Sequence, residues 1–121
     1  MVGQIELQEL NSLVIQARHN FENNQIEFNL LKKLYIQYNS IKGIDRFLKD
    51  AQSLFPKLNC GVTSVYLRHL LKKGDVIKGY YKGHKHTFLK VDDKIIDITS
   101  DQYGGPKIYI GPLVPPWKIK S

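Results

Sequence analysis

Residues 86–99, HTFLKVDDKIIDIT, decide how the chain is read. Two runs rich in β-branched and aromatic side chains, 87–91 and 94–99, flank Asp92 and Asp93, and a pair of aspartates between such runs suits a tight two-residue connection. With those two residues at the turn, Val91 pairs with Lys94, Phe88 falls opposite Asp97, and His86 falls opposite Thr99. Side chains alternate faces along a strand, so His84, His86 and Phe88 share a surface with Ile95, Asp97 and Thr99. His86 and Asp97 are then diagonal neighbours with β-carbons roughly 5.5–8 Å apart, within reach of an imidazole–carboxylate hydrogen bond. A charge inside Ile95-Ile96-Asp97-Ile98 is costly unless it is paired, which favours that partnership.

Working outward, residues 76–81 have the same β texture, and a last short run spans 107–110 after the break at Gly104, Gly105 and Pro106. Residues 111–121 contain Pro112, Pro115 and Pro116, which exclude a regular helix and leave Trp117 to lie over the sheet. Upstream the period changes. Asn59 is a candidate N-cap, and Val62, Val65, Tyr66, Leu67, Leu70 and Leu71 follow at helical spacing until Gly74 closes the run. The same spacing predicts helices over 44–54, 26–38 and 5–19, the last including Ile5. The expected class is α+β, with N-terminal helices packed on a small antiparallel sheet. No linker, repeat or low-complexity tract interrupts it, so residues 1–121 read as one domain: a helical segment, 1–58, and a helix-and-sheet segment, 59–121.

Composition bounds the function. At 121 residues the chain can build one core but not two. Hydrophobic residues make up 42% and charged residues 24%, as in ordinary globular proteins, and no apolar run approaches the roughly 18 residues of a membrane span. Lysine and arginine number 18 against 11 acids, giving a formal charge of +7, which favours an acidic partner. The single cysteine excludes an internal disulfide, and residues 1–20 lack the features of a secretory signal, so a reduced, cytoplasmic thiol protein is expected.

Cys60 lies in the first turn of the 59–71 helix. There a thiolate faces unpaired backbone N–H groups and the positive end of the helix dipole, which lower its pKa. A nucleophilic cysteine also needs a base and a group that orients the base; Cys60, His86 and Asp97 can fill these roles. The competing readings are a buried cysteine packed as a small apolar side chain and a histidine merely solvated on a lysine-rich strand. His84 competes with His86, since extended pairing would set it near Asp101, but Gly83 suggests that the strand only begins there. A metal site made of His84, His86 and Asp97 has too few ligands to be specific, so neither metal nor other cofactor is expected. A nucleic-acid-binding reading draws on Arg68, Lys72, Lys73, Lys78, Lys82, Lys85, Lys90 and Lys94 interleaved with Tyr66, Tyr80, Tyr81 and Phe88, but no recognition motif accompanies them, and it is the weaker reading. A catalytically dead binder of a protein partner is the remaining class.

The stretch 59–102, about a third of the chain, resembles the core of papain-like and transglutaminase-like cysteine enzymes: Asn59-Cys60-Gly61 opens a helix, His86-Thr87-Phe88 lies in one strand and Ile96-Asp97-Ile98-Thr99 in the next. The order cysteine, histidine, acid is that superfamily's. In its transglutaminase-like branch the histidine strand commonly reads His-x-Trp and the acid strand Asp-x-Thr, so Phe88 stands where tryptophan is usual. Bacterial papain-fold toxins that deamidate glutamine carry a glutamine a few residues after the triad acid, which helps form the oxyanion hole, and Gln102 occupies a comparable place. The chain departs from papain itself, with Leu54 six positions before Cys60 where papain has glutamine, and with no Cys-Gly-Ser-Cys-Trp signature. The resemblance therefore implies a Cys60–His86–Asp97 triad with Gln102, acting on a protein glutamine rather than as a classical peptidase. It further implies a toxin or effector domain delivered into a target cell, with an acidic immunity protein as partner. A peptidase or a transglutaminase would use the same triad.

Overall fold

A computed structural model describes residues 7–119. Four helices come first: α1 (Leu7–Glu22), α2 (Phe28–Tyr38), α3 (Ile44–Leu54) and α4 (Cys60–Leu71). Five strands follow: β1 (Asp75–Tyr81), β2 (His84–Val91), β3 (Lys94–Asp97), β4 (Tyr109–Gly111) and β5 (Trp117–Lys118), with a 3-10 turn, Ser100–Tyr103, between β3 and β4. The strands form one antiparallel sheet in the order β4-β3-β2-β1-β5. This is the expected α+β arrangement.

In α1, Leu10, Val14, Ala17 and Phe21 recur every three or four residues and are buried along one face. The predicted extension of this helix to Ile5 lies outside the described residues. The other three helices fall within a residue or two of their predicted spans. Among the described residues no helix is long and apolar enough to cross a membrane.

The sheet is covered on both faces, and the alternation of its side chains divides the core in two. Leu89, Val91, Ile96 and Ile98 pack with Val14, Leu31, Val62 and Val65 from the helices. Phe88 and Ile95, one residue out of phase, pack with Tyr81 and Trp117 on the other side. A strand buried on both faces reads as nearly continuous apolar sequence, which is why Ile95-Ile96 and Phe88-Leu89 carry no polar alternation.

The central hairpin has the predicted register, Val91 opposite Lys94 and Leu89 opposite Ile96, with Asp92 at φ 55° in the turn. Three strands have a boundary displaced by two residues or more from expectation, and α1 runs on to Glu22, three residues past its expected end. β2 starts at His84 rather than Thr87, because Lys82 (φ 50°) and Gly83 (φ 80°) both take the left-handed conformation of a two-residue hairpin turn. β3 stops at Asp97 rather than Thr99, because the Asp97 carboxylate accepts the Thr99 backbone N–H at 2.9 Å and bends the chain into the 3-10 turn. The expected pairing of His86 with Thr99 is therefore not part of the ladder. The last predicted run, 107–110, forms its strand at Tyr109–Gly111. The proline-rich tail adds a strand as well as a cover: Trp117 pairs with Tyr81 at the outer edge of β1, while its indole lies on the Tyr109 ring, centroids 3.8 Å apart. Gly79 permits this docking, since a β-carbon there would run into the Lys118 carbonyl and the Phe88 ring.

Candidate active site

Cys60 is the first residue of α4, which packs against β2. Asn59 occupies the N-cap position, but its side chain does not cap the helix. Its amide instead donates to the carbonyls of Ala51 and Lys57, both at 2.7 Å, tying the end of α3 to the start of α4. Within the first turn, Ser64 Oγ donates to the Cys60 carbonyl at 2.6 Å and Thr63 Oγ1 to the Asn59 carbonyl at 2.9 Å. The cysteine is thus held on a rigid element and is only partly buried. The first backbone N–H groups of a helix have no intrahelical acceptor, so the Cys60 N–H is available to a ligand.

His86 and Asp97 are brought together as their diagonal placement predicts. Nε2 of His86 lies 2.7 Å from Oδ2 of Asp97, and both side chains are essentially sealed from solvent. Asp97 has a full set of donors. Oδ2 also accepts the Trp117 indole N–H at 2.8 Å, while Oδ1 accepts the Thr99 backbone N–H at 2.9 Å and lies 3.4 Å from the Thr99 hydroxyl. Four donors to one buried carboxylate satisfy both of its oxygens and fix its orientation. Tyr81 closes the site edge-on against both the His86 ring and Trp117.

With Nε2 committed to Asp97, Nδ1 is the nitrogen left for the thiol. It is buried and has no hydrogen-bond partner among the described residues, and His86 borders the same cavity as Cys60. Burial pushes the Cys60 thiol up, but the neighbouring His86 imidazole and Thr87 outweigh it, so the pKa falls below that of an ordinary thiol. Burial pushes His86 down, but Asp97, joined by Cys60, raises it to about 9. Both shifts favour a thiolate–imidazolium pair at neutral pH.

Two cavities open beside the sulfur. One, of about 430 Å³, is bordered by Cys60, His86 and Thr87 together with Lys78, Tyr80 and Lys85. The other, of about 320 Å³, joins Cys60 and Gly61 to Gln102, Tyr103 and the α2 rings of Tyr35 and Tyr38. Gln102 comes from the 3-10 turn, and its amide Nε2 is buried without a partner. All four residues singled out from the sequence therefore border one region of the surface or back it directly.

Several contributors were not legible. Trp117 was expected only as a cover, and its hydrogen bond to Asp97 depends on a β5 pairing that two residues of sequence cannot signal. Arg18 was missed altogether. It is buried in α1, donates to the Ile98 carbonyl at 2.8 Å and grips Asp101 with two hydrogen bonds of 2.8 Å, holding the turn that carries Gln102. The usable signal was an arginine on the apolar face of a helix, next to Ala17 and Phe21. Asp101 is thereby occupied, and His84, the competitor to His86, is exposed and stacked on Tyr103 with centroids 4.4 Å apart. Among the described residues no group of three His, Cys, Asp or Glu side chains is placed to hold a metal ion. The nucleic-acid reading loses most of its stacking surfaces, because Tyr66, Tyr81 and Phe88 are buried. No family model, curated protein or solved structure matches the chain, and the chemistry of the site rests on its own geometry.

Proposed function

We propose that the chain is a thiol-dependent hydrolase of the papain-like and transglutaminase-like type, converting a protein glutamine to glutamate. One observation carries the reading: the sole cysteine, at a helix start, borders the same cavity as a buried histidine whose far nitrogen is held at 2.7 Å by a buried carboxylate. The Cys60 thiolate attacks the carboxamide carbon, forming an S–C bond and a tetrahedral oxyanion. The Cys60 N–H and the unpartnered Gln102 amide are the donors available to that oxygen. The His86 imidazolium passes its proton to the departing nitrogen, the C–N bond breaks, and ammonia leaves behind a thioester. Neutral His86 then takes a proton from water as the water adds to the thioester; the C–S bond breaks, the carboxylic acid leaves, and the thiolate–imidazolium pair is restored. Asp97 keeps the imidazole in the tautomer and orientation that both half-reactions need.

A peptidase or a transglutaminase would share the first step. The difference lies in whether the attacked bond belongs to side chain or backbone, and in whether water or an amine completes the cycle. The excess of basic residues suits an acidic partner; the resemblance to bacterial toxin domains makes that partner an immunity protein. Intact-mass analysis of candidate target proteins, incubated with the wild type and with Cys60→Ala, tests the proposal. Deamidation adds roughly one dalton per glutamine and requires the thiol; chain cleavage, amine conjugation, or no change that depends on Cys60 would overturn it.

A further inference from the structure

The cavity on the β1–β2 side of Cys60 has a chemical character that the triad does not explain. Lys78 pairs across the hairpin with Thr87, and Lys85 pairs with Tyr80. Lys78, Tyr80, Lys85 and Thr87 therefore share one face, with the two lysines as diagonal neighbours whose side chains can approach closely. Both border the same cavity as the sulfur, and among the described residues no aspartate or glutamate borders it. Neither ammonium takes part in an ion pair among the described residues, although other surface lysines do, Lys32 with Asp45 and Lys94 with Asp93. The Lys78 ammonium lies 5.4 Å from the centre of the Tyr38 ring, which borders the second cavity beside Cys60, so Lys78 stands between the two cavities. Both lysines are exposed at the rim of this cavity, and an anion seated between them would be attracted by each.

We infer that Lys78 and Lys85 form a subsite for an acidic side chain of the substrate, adjacent to the carboxamide that Cys60 attacks. The inference rests on the reading of Cys60 as the nucleophile and adds the class of substrate: a glutamine flanked by aspartate or glutamate in an extended or loop segment. A cavity of about 430 Å³ suits one or two side chains of such a segment. The remaining wall, formed by Tyr80 and Thr87, supplies a ring face and a hydroxyl but no competing charge.

Protection of Cys60 from alkylation tests the subsite without knowledge of the natural target. Iodoacetamide is uncharged, so the lysines do not steer the reagent. The rate of Cys60 modification is followed by intact mass with millimolar blocked tripeptides, Glu-Gln-Glu or Lys-Gln-Lys, and ammonia release is measured in parallel. The expected result is that the acidic peptide slows alkylation about tenfold more than the basic one, that the difference shrinks in high salt, and that it disappears in the Lys78→Gln/Lys85→Gln double variant. Equal protection by both peptides, or a preference that survives in the double variant, would overturn the inference. So would protection by a short single-stranded RNA in place of the acidic peptide. Selective protection by the acidic peptide without ammonia release, and with no thiol-dependent change in any protein target, would overturn deamidation and leave the acidic subsite standing; ammonia release without selectivity would do the reverse.

Discussion

Asp97→Asn changes one atom of a buried side chain and reverses what that atom can do. The carboxylate takes His86 and Trp117 on one oxygen and Thr99 on the other. An amide has a single acceptor oxygen, so in either orientation one set of donors meets an NH2 group. If the oxygen turns to Thr99, the imidazole keeps its bond to residue 97 only by giving up the Nε2 proton. That places the remaining proton on Nδ1, the nitrogen left for the thiol, and removes the base. If the oxygen turns to His86, the imidazolium still loses its counter-charge while burial continues to oppose it. His86 should then fall from about 9 to its ordinary value of 6.5 or lower. That fall corresponds to roughly 3 kcal/mol of lost charge stabilisation. The figure agrees with the ~3–5 kcal/mol typical of a buried ion pair that loses one partner. Because the folded-state pKa of His86 is raised, its contribution to stability is fully present below 6.5 and lost as pH rises through about 9. The lowered thiol of Cys60 contributes with the opposite sign, so the decline is read in a Cys60→Ala background: there stability should fall across that window, and adding Asp97→Asn should remove the fall. Two measurements check this: imidazole NMR titration, and the pH profile of Cys60 alkylation, whose rate at pH 7 should drop about tenfold or more as the thiol returns towards its ordinary range. A variant whose His86 still titrates near the wild-type value, with an unchanged alkylation profile, would refute the account of how the acid governs the pair.

Three further outcomes are expected. Trp117→Phe keeps a ring against Tyr109 but removes the 2.8 Å hydrogen bond to Asp97; urea unfolding should show a loss of about 1.5–3 kcal/mol, the usual contribution of a hydrogen bond to a charged group. Gln102→Ala should lower kcat on a glutamine substrate about a hundredfold or more, as loss of an oxyanion donor does elsewhere, while iodoacetamide alkylation, which creates no oxyanion, should not show that drop. Arg18→Met strips two hydrogen bonds from Asp101 and one from the Ile98 carbonyl; denaturation should reveal roughly 3–5 kcal/mol of destabilisation, and amide exchange in the Ser100–Tyr103 turn should accelerate.

The class of the fold and the pairing of His86 with Asp97 were already present in the sequence, because both follow from local rules. Periodicities of 3.6 and 2 separate helix from strand, and a two-residue turn at Asp92 and Asp93 fixes the register, which in turn fixes which side chains share a face. The place of Cys60 at a helix start was legible for the same reason. What brings that helix start against the far end of β2 is burial of the Val62, Val65, Leu89 and Ile96 cluster, a packing of non-local surfaces that no local pattern encodes. Tertiary structure alone placed Trp117 on the buried acid and Arg18 on the turn of Gln102, since each joins residues far apart in the chain through hydrogen bonds that become strong only when water is excluded from both partners.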